Sequence, residues 1–125
     1  MRHQVAGYKL SRNKGQRIGL RKTMINQLFE HERIRTTRAK ALSIRGEAEK
    51  LITLARNSGS GSDVEKVNAR RMAAAKLDSP AMVRKLFDDL GPRYANRNGG
   101  YTRVLRLEPR LGDAAEMVLL ELVEG

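Results

Sequence analysis

Four stretches of the chain repeat their apolar residues at helical spacing, and three short ones alternate apolar with polar. The first helical stretch can be capped by Ser11 or Asn13 and runs to about Glu30. Met24, Ile25, Leu28 and Phe29 make an i, i+1, i+4, i+5 stripe in its second half. Its first half differs. Lys14, Arg17 and Arg21 project on the side of Ile25 and Leu28, so a helix packed along its whole length would bury charge. The pattern predicts a helix whose leading half reaches beyond the body of the protein. Residues 1–10 show neither period and read as part of an extended basic tail over 1–11.

Residues 32–37 (Glu-Arg-Ile-Arg-Thr-Thr) are short, β-branched and alternating, which predicts a strand. Thr36 or Thr37 then caps a helix to about Asn57, with Ala41, Ile44, Ala48, Leu51, Ile52 and Ala55 on one buried stripe. Residues 57–62 (Asn-Ser-Gly-Ser-Gly-Ser) have the composition of a flexible connector. Ser62 and Glu65 form a capping box that opens a helix to about Leu77. Ser79-Pro80 opens another, buried along Val83, Leu86, Phe87 and Leu90, and Gly91-Pro92 is expected to end it. Two strands follow, over 101–107 and 115–123, joined as an antiparallel hairpin through Pro109 and Gly112-Asp113. The expected architecture is α+β in one domain over 1–125. The order is helix, strand, three helices, two strands, with the helices packed on a small mixed three-stranded sheet and a basic N-terminal extension leading in.

Charge changes this picture more than size does. The 125 residues carry 25 Lys and Arg against 14 Asp and Glu, a formal net charge of +11. The excess is concentrated: residues 1–40 hold eleven of the basic residues and only Glu30 and Glu32 as acids. Like charges in a run repel one another, so an acid-free stretch of 29 residues implies that a polyanion supplies the counter-charge. A second basic cluster, Arg93, Arg97, Arg103 and Arg106, lies in a stretch with no acid between Gly91 and Leu107. Arg is suited to bidentate phosphate contact. Tyr94 and Tyr101 stand among these arginines, either as rings that stack on unpaired bases or as plugs of the core. The Thr-Thr-Arg start of the second helix offers free N–H groups to a phosphate as well as an ordinary cap.

Catalytic chemistry finds little support. There is no cysteine, and neither His3 nor His31 has a catalytic or ligating partner at useful spacing. Asp88-Asp89 lies one turn from Arg84 and Lys85, a solvated ion-pair face. The expectations are no enzyme, no catalytic residues, no metal, no cofactor and no small-molecule substrate. No apolar run approaches a membrane span and no secretory leader pattern is visible, so an intracellular protein is expected. A DNA-binding regulator would need an exposed base-reading helix and a dimer seam, and no such seam is apparent. A lipid-binding module would need a sustained apolar face on the first helix, which the sequence lacks.

Several segments occur together in a familiar order. They are Met1-Arg2-His3, Lys9-Leu10-Ser11-Arg12, Ile34-Arg35-Thr36-Thr37, Leu51-Ile52-Thr53-Leu54-Ala55, Leu90-Gly91-Pro92-Arg93-Tyr94, Gly99-Gly100-Tyr101-Thr102-Arg103, Gly112-Asp113 and Glu121-Leu122-Val123. The chain closely resembles the bacterial-type large-ribosomal-subunit protein seventeen family over nearly its whole length apart from 57–80. The resemblance implies a structural constituent of the cytoplasmic large subunit, bound to large-subunit rRNA near the peptide-exit opening, with large-subunit proteins twenty-two and thirty-two as neighbours. It implies RNA contacts at Arg2, His3, Lys9, Arg12, Arg17, Thr36, Thr37, Arg93 and the 99–103 segment. Gln4, Val5, Tyr8 and Gln16 stand where members commonly carry basic residues or His. The charge pattern adds Lys14, Arg21, Lys22, Arg35, Arg38 and Arg97, and within 99–103 the candidates are Gly99, Gly100, Tyr101 and Arg103.

Overall fold

The computed structural model describes residues 13–124. The expected tail over 1–11 and the candidate residues Arg2, His3, Lys9 and Arg12 lie outside them. Helix starts follow local chemistry. Helix α1 (Lys14–His31) opens on a reciprocal capping box in which the Asn13 side chain accepts from the Gln16 N–H at 2.8 Å. It closes at Glu32, whose backbone is left-handed (φ 66°) and whose N–H reaches the Leu28 carbonyl. Strand β1 (Arg33–Thr37) leads directly into helix α2 (Arg38–Ser58), capped by Thr37. Asn57 and Ser58 complete α2 and Ser58 is buried, so the turn proper is 59–62. Helix α3 (Asp63–Leu77) begins with the Ser62–Glu65 capping box.

The fourth helical run departs from expectation. Helix α4 (Pro80–Lys85) does not stop at Gly91-Pro92. It widens into a π-helical turn (Leu86–Leu90) and continues as a short α5 (Gly91–Arg93). Gly91 is right-handed helical, with φ −57°, and its N–H bonds the Leu86 carbonyl five residues back. Pro92 has no N–H and its ring clashes with a tight helical turn; the extra residue in a π-turn accommodates that ring. A Cβ on Gly91 would stand 3.1 Å from the carbonyl carbon and oxygen of Ala55. The glycine therefore serves close contact between α2 and α5, and chain termination is not its role.

Strands β2 (Thr102–Arg106) and β3 (Met117–Leu122) complete the sheet. The strand order is β1-β3-β2, antiparallel throughout, so the expected mixed sheet is corrected on this point. A direct connection from β1 to β3 was hidden because they are separated by all the intervening helices. Register fixes the two faces. Ile34, Leu120 and Val104 form a cross-strand row on the core side, while Arg33, Glu121 and Arg103 form one on the outer side. The sequence-predicted stripes all reach the core: Met24, Ile25, Leu28 and Phe29 of α1, six residues from Ala41 to Ala55 of α2, and Val83, Leu86 and Leu90. Phe87 is only half-buried beside it. Full burial of each large aliphatic side chain is worth about 1.5–3 kcal/mol, which is what seats the helices on the sheet.

Candidate nucleic-acid interface

The leading half of α1 is the most one-sided part of the molecule electrostatically. Its first turn contains no acid, and Lys14 sits at its start. A helix N-terminus already carries partial positive charge, so cations there add to it, whereas α3 places Asp63 and Glu65 in its first turn. Lys14, Arg17 and Arg21 follow at i, i+3 and i+7. Ile18 between them remains 45% exposed, and burial begins only at Met24. Only the start of the helix stands clear of the core: Leu20 packs against it, and Ile18 and Arg21 line a groove between α1, α2 and α3, so the expected projection of the whole leading half is corrected.

Folding sorts most of the described cations into two groups. Among the described residues Lys14, Arg21, Arg33, Arg35 and Lys50 make no ion pair with a carboxylate. Arg33 and Arg35 share the outer face of β1, two residues apart and both exposed. Arg33 and Lys50 were not among the sequence candidates; for Arg33 the two-residue spacing from Arg35 was the available signal. Lys66, Arg71 and Arg84 on α3 and α4 are likewise without an acidic partner.

The second group is neutralised inside the chain. Arg93 grips Glu32 with both Nη atoms, at 2.6 and 2.9 Å, and donates to Asp89 at 3.0 Å. Lys85 joins Glu32 at 3.2 Å. These hydrogen bonds, with Arg93 first, hold the Glu32 carboxyl at about 2, and the same contact raises the Arg93 pKa further. Arg103 meets Glu121 at 2.6 Å across the sheet, Arg106 lies 3.6 Å from Glu116, Arg38 lies 3.9 Å from the same carboxylate, and Lys22 pairs with Asp78. The run that lacks acids in sequence thus acquires them in space. Arg97 alone of that run pairs with no acid, and its nearest acceptor is the Gly100 carbonyl at 3.4 Å.

The two tyrosines are core plugs. Tyr94 and Tyr101 are at most 1% exposed, with ring centroids 5.2 Å apart. The Tyr94 hydroxyl donates to the Val123 carbonyl, and burial pushes its pKa up. The Tyr101 hydroxyl accepts from Thr53 at 3.2 Å. Base stacking on Tyr101 is therefore corrected: the five aromatics of this chain are too few to leave its small core without them. Gly99 and Gly100 have φ of 94° and 63°, and a Cβ on Gly99 would meet nothing within 4 Å. Their left-handed backbone turns the chain into β2 and accounts for both glycines. Thr36 is half-buried on the inner face. Thr37 Oγ1 accepts from the Lys40 N–H at 3.4 Å, so α2 starts on an ordinary cap.

Among the described residues no group of three or more His, Cys, Asp or Glu is placed to hold a metal, and no helix is long and apolar enough to cross a membrane. The arrangement is that of a small α+β protein carrying a polycationic face. Comparison with known proteins assigns it. The family model described as ribosomal protein L17 matches residues 20–123, and the chain belongs to that family. Three relatives carry the name large ribosomal subunit protein bL17. The one from Solibacter usitatus is 47% identical over 123 residues, covering 98% of this chain and 77% of its own length. Those from Trichlorobacter lovleyi and Treponema denticola are each 45% identical over 124 residues, covering 99% of this chain and 94% and 65% of theirs.

Proposed function

We propose that this chain is a non-enzymatic constituent of the large ribosomal subunit that binds large-subunit rRNA and supports assembly of the particle. The leading segment, with Arg2, His3, Lys9 and Arg12, enters folded RNA. Lys14, Arg17 and Arg21 on α1 and Arg35 on β1 neutralise phosphates that RNA helices bring together. Arg97 and the Gly99–Gly100 turn lie against a sugar–phosphate strand, and the body rests on the RNA surface. The neighbours in this reading are large-subunit proteins twenty-two and thirty-two, in a cytoplasmic ribosome.

The observation that carries the reading is the sorting of charge. The acids of the body are engaged by the later arginines, while α1 and the outer face of β1 keep cations with no carboxylate partner. An external polyanion balances that face and releases the small anions that otherwise screen it. If about seven phosphates are neutralised, affinity for a large-subunit rRNA fragment falls roughly 10³-fold between 50 and 200 mM salt. Filter binding or fluorescence titration of the full chain measures this. A flat salt response refutes the reading, as does sedimentation of the chain apart from large subunits.

A further inference from the structure

Between α1, α2 and α3 runs an open groove of about 760 Å³, within the range of small-molecule sites. Its floor is apolar: Ile18 of α1, Leu51 and Leu54 of α2, and Met72 of α3. Ile18 and Met72 are 45% and 61% exposed, among the few large apolar side chains left open to solvent. Four cations line the groove, of which Lys22 pairs with Asp78 and Lys76 lies 3.9 Å from Glu47, leaving Arg21 and Lys50 without a carboxylate. Lys50 has no acidic partner, and Arg21 is half-buried, with its Nε covered and without a hydrogen-bond partner.

Gly46 adds an independent observation. It sits in the interior of α2, lines the groove, and a Cβ there would meet nothing within 4 Å. Neither a turn nor a close approach within the chain requires this glycine, although glycine is the poorest helix former after proline. Absence of a side chain at that point leaves the helix backbone open to something lying against it.

We propose that this groove receives one looped-out nucleotide of the bound RNA, an assignment that rests on the rRNA-binding reading above. The base lies on Ile18, Leu54 and Met72. The sugar passes Gly46, where a side chain would obstruct it, and the flanking phosphates face Arg21 and Lys50. Unpaired RNA bases are commonly splayed out and stacked on aromatic rings or arginine planes; here the aliphatic floor takes that place. The two cations left without a carboxylate, Arg21 and Lys50, favour a nucleotide over an acid-free apolar peptide, because a phosphate accompanies every base. The Lys14, Arg17 and Arg21 stripe leads along α1 to the groove, so the same strand that contacts the helix runs into it.

Gly46→Leu is the decisive variant, because it fills the groove while improving helix propensity and so is expected to fold with an unchanged or raised Tm. With large-subunit rRNA as the probe, the wild-type chain is expected to protect one unpaired nucleotide from base-specific chemical modification as part of a wider footprint. Gly46→Leu loses that single protection, keeps the rest, and binds about tenfold more weakly, in line with one base contact. Lys50→Gln lowers the salt slope by about one ion. An unchanged footprint and affinity for Gly46→Leu overturns the groove assignment while leaving the rRNA reading standing. Loss of a neighbouring protein from the particle, with the RNA footprint intact, overturns it in favour of a protein occupant. Absence of any wild-type footprint overturns both.

Discussion

Two glycines in the helical layer give the sharpest test of the packing argument, because one chemical change is expected to have opposite effects. Both Gly46 and Gly91 have right-handed helical surroundings, so replacement by Ala brings the same intrinsic gain, about 1 kcal/mol. At Gly46 nothing opposes it, since the added methyl meets no atom within 4 Å. With an unfolding entropy of about 2.1 cal/mol/K per residue, this corresponds to a rise in Tm of roughly 4 °C for a chain of this length. At Gly91 the methyl would stand 3.1 Å from the Ala55 carbonyl carbon and oxygen and 3.2 Å from its Cβ. The obstacle is mostly backbone, which cannot rotate away, so α2 and α5 must part. Overpacking of this kind costs about 1–3 kcal/mol. Pro92 adds to it, because a Cβ on the preceding residue disfavours the helical conformation that Gly91 holds. Gly91→Ala is therefore expected to lose about 1–2 kcal/mol net, and the two variants to differ by about 2–3 kcal/mol. Urea unfolding followed by circular dichroism measures both, with the slope against denaturant unchanged. A Gly91→Ala protein as stable as wild type would refute the close-contact account of that residue.

Glu32 gives a pH signature. Its carboxyl is held at about 2 in the folded chain against an ordinary 4.5, so the ion-pair contribution is complete above about pH 4.5 and lost as pH falls through 2. With the side chain 38% exposed, solvent screening reduces that contribution to about 1 kcal/mol. Glu32→Gln is thus expected to unfold at lower urea than wild type at pH 7, with the gap about halved at pH 3; a gap constant with pH contradicts the assignment. Arg35→Gln should lower the salt slope of rRNA binding by about one, while Arg103→Gln, whose partner is Glu121, should leave it nearly unchanged. Equal effects of the two variants would show that internal pairing does not withdraw a cation from RNA. Tyr101→Phe removes one hydroxyl contact from a ring 1% exposed, so rRNA affinity is expected to stay at the wild-type value; a loss of affinity would place the ring against RNA.

What the sequence disclosed and what it withheld follow from the range of each interaction. Helix starts were legible because capping is local: Asn13 with Gln16, Ser62 with Glu65, and Ser79 ahead of Pro80 are all within three residues of one another. The buried stripes were legible for the same reason, since the helix repeat fixes which side chains share a face. Gly91 was misread because its reason lies at Ala55, and no pattern near Gly91-Pro92 distinguishes a terminator from a contact. The sheet order was hidden because β1 and β3 meet only after all the helices have been traversed.

The Arg93–Arg106 run shows the same limit acting on function. Its lack of nearby acids suggested a phosphate site, yet Glu32, Glu116 and Glu121 reach three of its four arginines from distant parts of the chain. A cluster's charge in sequence is therefore an upper bound on the charge it presents. On α1 the bound was nearer the truth for Lys14 and Arg21, which meet no carboxylate, than for Lys22, which finds Asp78. What leaves a cation unpaired is the absence of a carboxylate within reach, and this holds on the outer face of β1, at Arg33 and Arg35, as well as at Lys14. Under the proposed reading, Arg93 and Arg103 serve mainly to hold α5 and β2 in place, and the contacts to RNA fall to cations that no carboxylate of the fold engages, Lys14 and Arg35 among them.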